Sequence, residues 1–179
     1  MVELVTVIVL IGILGAIGAS RFADSTLFAS RTQTDQVKSL IRYAQKLAIA
    51  QNRDVFVRSR PAGFAVCYTA NCAAGSLAPD PAGGNNGSAA TRIECVSNNL
   101  YVANWACIGT PAGTVVNTAP ARNEFGAAGF FFFDAMGRPH NNGDVQGGVS
   151  TFLTRMTLTF STGGNNFALA IEPETGYVH

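Results

Sequence analysis

MVELVTVIVLIGILGAIGASRF, residues 1–22, is the stretch that decides the architecture of this chain. From Leu4 to Ala19 it carries no charge, and Arg21 ends the run. As a helix, those residues extend about 24 Å, slightly short of a ~30 Å hydrocarbon core. A signal-peptide core and a buried globular helix are the plainer origins of such a run. A signal peptide opens with positive charge and closes on a small-x-small cleavage site, whereas this run opens on Glu3. A buried helix of uniform apolarity needs partners on every side, and the chain has no second segment like it. The run therefore reads as a membrane-inserted helix over residues 1–20.

Glu3 is the odd residue in that helix. A carboxylate at the edge of an apolar span is costly to bury, so it faces a partner or a polar cavity. The plainer alternative places it in the headgroup layer beside the free amine. Gly12, Gly15 and Gly18 recur every third residue and mark a face on which helices can approach closely. This GxxG spacing is weaker than GxxxG, and glycine is also ordinary in membrane helices.

Composition agrees with an apolar segment attached to one domain. The 179 residues suffice for a single well-packed unit with a segment to spare. They are 47% hydrophobic and 13% charged, where soluble domains carry about 25% charged residues. The net charge of +1 hides an uneven distribution. Residues 21–60 hold eight basic side chains against three acidic ones, and residues 61–179 hold four against seven. A basic stem carries a mildly acidic body.

Beyond the apolar run the helix is expected to continue. Val37, Leu40, Ile41, Ala44, Leu47 and Ala48 recur with helical period, and Lys38, Arg42, Lys46 and Arg53 lie off that stripe. No Pro occurs before Pro61, and no Gly between Gly18 and Gly63. A rod over residues 1–52, amphipathic over 21–52, would measure roughly 75 Å. Its basic face is solvated or meets anionic lipid. Nucleic acid is the sharper option, disfavoured because no aromatic residues interleave with the charges.

Residues 53–179 change texture to short strands and turns. DVFVRSR and GFAVCYT around Pro61-Ala62 read as a hairpin, and FFFFD, Phe130–Asp134, as a central strand. FLTRMTLTF and NFALAIEP read as two alternating strands joined at Gly163-Gly164. TRIECV and LYVANWAC join this series of strands and turns. GSLAPDPAGGNNGSAA is expected to be a surface loop without packing material, and residues 109–129 a second loose loop. The fold class is α+β: one long helix on a mainly antiparallel sheet or two-sheet body. Cys67, Cys72, Cys95 and Cys107 fit no C-x-x-C pattern and point to disulfides in an oxidising compartment, with three pairings open.

The opening residues, MVELVTVIVLIGILGAIGASRF, resemble the N-terminus of type IV pilins and pseudopilins, whose mature chains begin Phe-Thr-Leu-hydrophobic-Glu before an apolar run. The resemblance implies that Glu3 acts in assembly by pairing with the terminal amine of a neighbouring subunit. It also implies that Met1 stands where the family has its third mature residue, with the leader and start upstream. Many pilins carry Pro about seventeen residues after the Glu; here Ser20 holds that place. Phe133-Asp134-Ala135-Met136-Gly137-Arg138-Pro139 resembles a turn of minor pilins in the FimT and type II secretion H-pseudopilin group, including those of the MSHA pilus. Ile171-Glu172-Pro173-Glu174-Thr175-Gly176-Tyr177-Val178 resembles that group's closing segment. Both are turn signals in which Gly137 and Gly176 can take positive φ.

The resemblance implies a minor subunit that primes or joins a type IV pilus, most like the MSHA type. It would be anchored in the bacterial inner membrane with its body in the periplasm. Its partners would be other pilin or pseudopilin subunits, membrane lipid, the assembly platform and the prepilin peptidase. A type II secretion pseudopilin and a DNA-binding minor pilin are the alternatives. Catalysis is not expected, since His140 and His179 are the only histidines and no nucleophile pairs with them. No cofactor is implied. His140-Asn141-Asn142-Gly143-Asp144 offers oxygen donors, but its spacing does not fit an EF-hand loop, and no metal is assigned.

Overall fold

One-sided apolar periodicity forces the second helical segment onto the body, and the rest of the fold is arranged around that contact. The computed structural model describes residues 2–22, 25–126 and 129–179, with backbone alone for 14–22, 25–27 and 29. Helix α1 covers Val2–Phe22 and α2 covers Ser25–Gln51. The junction of the expected rod, residues 23 and 24, lies outside the described residues. In α2, Val37, Leu40, Ile41, Ala44 and Ala48 are buried and Leu47 packs against them half-buried. That is the stripe expected from the sequence. Asn52 follows at φ 50°, a left-handed exit suited to Asn.

The body contains two main antiparallel sheets. Strands β1 (Val55–Arg60) and β2 (Gly63–Cys67) form the expected hairpin, with Arg60 opposite Gly63. After α3 (Ala89–Glu94) comes a two-stranded ribbon of β3 (Val96–Ser97) and β4 (Leu100–Tyr101). The chain continues through β5 (Cys107–Gly109), β6 (Val115–Ala119), β7 (Phe130–Phe133), β8 (Pro139–His140), β9 (Met156–Thr162) and β10 (Asn165–Ile171). The larger sheet runs β5-β2-β1-β7-β8 and the smaller β10-β9-β6. Helix α2 lies against both, touching β1 and β2 of one and β9 and β10 of the other.

The larger sheet is buried on both faces. Val55, Val57, Phe64, Val66, Phe131 and Phe133 point into the main core with α2 and the smaller sheet. Alternate residues point the other way: Ala65 and Cys67 pack with Trp105 and the other three cysteines. On that second face Phe56 meets Phe132, their ring centroids 5.2 Å apart. Such double burial explains an all-Phe strand, and β7 is interior, between β1 and β8. Cys67 pairs with Cys72 and Cys95 with Cys107, at Cα separations of 5.2 and 5.8 Å.

Three expectations are corrected. TRIECV does not open as strand, because Thr91–Glu94 finish α3. Ser88 caps that helix, its Oγ accepting from the Thr91 N–H at 3.2 Å, and two alanines begin it. Residues 109–129 are not one loose loop: they contain β6, paired to β9 from Val115–Ser161 to Ala119–Thr157, and a 3-10 turn at Asn123–Phe125. No residue of β6 is fully buried, so its alternation is shallow and faint in sequence. The 75–90 stretch also supplies packing material. Ala78 is wholly buried, and its N–H donates to Val66 O at 3.1 Å.

Candidate functional site

An exposed apolar helix and the parts that hold the body to its continuation form the candidate site. In α1, Val2, Leu4, Val5, Val7, Ile8, Val9, Leu10, Ile11 and Ile13 are between 49% and 78% exposed. Burying such a side chain is worth about 1.5 to 3 kcal/mol. Leaving nine of them in water forgoes on the order of 10 kcal/mol, comparable with the whole stability of a domain. The helix is therefore built to be covered. Among the described residues no helix is long and apolar enough to cross a membrane, and the uncharged run is itself shorter than a bilayer core.

Glu3 lies in the first turn of α1, where the helix dipole favours a carboxylate. Its carbonyl accepts from Thr6 Oγ1 at 2.9 Å, and no group of the chain pairs its carboxylate among the described residues. Gly12 has open space around it. Gly15 and Gly18 are in the same helix, but their surroundings lie outside the described residues.

The four cations of the basic face expected from the sequence, three on α2 and Arg53 just beyond it, divide into two kinds. Arg42 is spent on the body: its Nε and Nη2 donate to Val178 O at 2.9 and 2.6 Å, and its guanidinium sits 5.9 Å from the Tyr177 ring centre. Arg53 lies over Tyr68 at 4.4 Å. Lys38 and Lys46 have no such partner within the chain among the described residues. The face considered for lipid or nucleic acid thus keeps two of its four cations free.

The two turn motifs meet at one side chain of α2. Gln45 Nε2 donates to Gly137 O at 2.9 Å and to Thr175 O at 2.7 Å. Gly137 (φ 80°) and Gly176 (φ 63°) take the left-handed conformations expected of them. The C-terminal segment folds back on β10, with Ala170 N–H donating to His179 O at 2.9 Å and His179 N–H to Ala170 O at 3.0 Å. Glu172 Oε1 binds Arg155 Nε at 2.7 Å and His179 Nε2 at 2.9 Å. The His179 hydrogen bond leads the influences that lower the Glu172 pKa. Together these contacts latch the C-terminus to α2. The sequence marked both turns but not their meeting, since the residues lie far apart along the chain.

His140 stands between the two carboxylates of the β7–β9 region. It is fully buried and stacked on Phe132 at 4.7 Å, with Nε2 3.3 Å from Asp134 Oδ2 and Nδ1 3.5 Å from Asp144 Oδ2. Asp134 Oδ1 accepts from the Met136 and Arg138 N–H groups at 2.9 Å each, and Oδ2 from Arg138 Nε at 3.0 Å. Burial alone would raise the Asp134 pKa, but these bonds and His140 hold it below the usual carboxylate range. Burial pushes Asp144 up likewise, and hydrogen bonds from Thr151 and Asn141 bring it down. His140 itself has no exposed surface, and the group braces the turn. No group of His, Cys, Asp or Glu suited to a metal occurs among the described residues.

No protein-family model matches the chain, and no curated protein sequence matches it. Among solved structures, two crystal forms of the Pseudomonas aeruginosa type IV minor pilin FimU are similar over 83% of this chain, at 13% identity and a TM-score of 0.47. They are covered over 85% and 90% of their own length. The minor pseudopilin EpsH of the Vibrio cholerae type 2 secretion system is similar over 84% of this chain and 94% of its own, at 12% identity and a TM-score of 0.46. Likeness of this degree transfers no function to the chain.

Proposed function

We propose that this chain is a minor structural subunit of a type IV filament, of the pilin and pseudopilin class and most like an MSHA-type minor pilin. The observation that carries it is α1: a helix whose apolar side chains over residues 2–13 are exposed to solvent, which opens on a Glu3 unpaired among the described residues and precedes a helix docked on a disulfide-bonded β body. The mechanism is mechanical. Lipid covers α1 before assembly, with local thinning accommodating a run of about 24 Å. Helices of neighbouring subunits cover it afterwards, so lipid contact is exchanged for helix contact. Glu3 then meets a neighbour's amine, and that pairing favours the bundled state over the bilayer. The assembly platform and the prepilin peptidase are the machinery such a subunit needs, and the periplasm is where its two disulfides form.

Cell fractionation tests this. The full chain should appear in the inner-membrane fraction and, after shearing, in surface filaments together with pilus subunits. Recovery only with secretion subunits would replace the pilus by a type II secretion pseudopilus. Recovery only as a freely soluble periplasmic protein would contradict both.

A further inference from the structure

Gly163 (φ 55°) and Gly164 (φ 83°) form the two-residue turn that closes β9 on β10, with Thr162 opposite Asn165. In a hairpin of this length the closing pair exchanges both backbone bonds, and every second residue after it does the same. Asn165, Phe167, Leu169 and Ile171 therefore turn their backbone groups to β9. Asn166, Ala168 and Ala170 turn theirs to the open edge of the smaller sheet. The C-terminal segment obeys the same parity: Ala170 and His179 exchange N–H···O bonds of 2.9 and 3.0 Å across that edge. The pairing goes no further. Asn166 and Ala168 are exposed, and their backbone groups have no partner across the edge among the described residues. Edge strands are ordinarily guarded by charge or proline, and the β10 sequence NNFALAI has neither.

Lys38 flanks the same stretch. Gln45 donates to Thr175 O and Arg42 to Val178 O, so the C-terminal segment descends α2 toward its first turn. Lys38, one turn below Arg42, is next in that series; it is half-buried and has no partner among the described residues. Phe167 is half-buried as well, on the inner face with Leu169, whereas Asn166 and Ala168 lie on the outer face.

We propose that the open edge of β10 receives an extended segment of a different subunit of the filament, added antiparallel in line with the C-terminal segment. Asn166 and Ala168 bond its backbone as Ala170 bonds His179. Lys38 donates to one of its carbonyls as Arg42 does to Val178 O, and an apolar side chain of the segment covers Phe167. Backbone bonds supply the attraction, and the Phe167 position selects the residue that faces it. The contact joins unlike subunits and does not propagate, which suits a component present in few copies. It deepens the filament assignment and rests on it.

The test uses the full-length chain in its cells, with a photoreactive benzoylphenylalanine at Asn166, an exposed residue. The expected product is a crosslink to a second filament subunit of different sequence, mapping to one extended segment. Ala168→Pro removes an outward N–H and no bond to β9, so the fold should survive. It should lower the yield by about fivefold or more, the scale of one backbone hydrogen bond. Ala168→Thr, which keeps the N–H, should leave the yield unchanged, as should Thr118→Pro on β6, the other edge of the sheet. A product containing only this chain, or one that Ala168→Pro leaves undiminished, overturns the proposal. Should Ala168→Pro fail to fold, amide hydrogen exchange of the unaltered chain decides. The Asn166 and Ala168 N–H groups should exchange freely in the detergent-solubilised chain and be protected in sheared filaments. Incorporation with both amides still exchanging freely sinks the edge alone, whereas absence of the unaltered chain from filaments sinks the filament assignment.

Discussion

Asp134 shows how much of the body depends on single polar side chains. It orders its turn through two backbone N–H groups, pairs with Arg138, and faces the buried His140. Because its folded pKa is lowered, as is that of Asp144, their stabilising contribution is complete above the unfolded carboxylate value of about 4. It is lost as pH falls below that value. Urea denaturation of the detergent-solubilised chain should therefore show a steep loss of stability on acidification. Asp134→Asn should flatten that loss while lowering stability near neutral pH. Gln45 is the second such residue. Gln45→Ala removes two hydrogen bonds joining α2 to both turns and should cost about 1 to 3 kcal/mol in the same assay. An unchanged midpoint would mean that the latch is redundant.

At the scale of elements, α1 is apolar almost throughout and α2 apolar along one stripe, and the two are put to different uses. Ile41 is fully buried, so Ile41→Ala should destabilise the body by about 2 to 5 kcal/mol. Val7→Ala, on the exposed helix, should leave the melting of the body unchanged. Removing Cys95–Cys107, which ties the end of α3 to β5, should cost about 3 kcal/mol if chain entropy dominates. These elements were unequally legible beforehand. The α2 stripe was clear because one face of the helix is buried and the other is wet. Four consecutive Phe announced an interior strand because both faces of the sheet are covered. Strand β6 was hidden by its shallow burial, and α3 by β-branched residues that only the Ser88 cap turns helical. Cysteine spacing left the pairing open, and the convergence of Gly137 and Thr175 on Gln45 depends on long-range topology that no local pattern records.

For the whole molecule, α2 of the basic stem packs on both sheets of the acidic body, while the apolar side chains of residues 2–13 remain exposed. A subunit of this form has its stability in one part and its means of association in another, so the two should be separable by mutation. Replacing Glu3 by Ala, and following the chain in sheared filaments and in the membrane fraction, tests that separation most directly. The expected result is loss of incorporation, with membrane association, both disulfides and body melting preserved. Normal incorporation of Glu3→Ala would contradict the account.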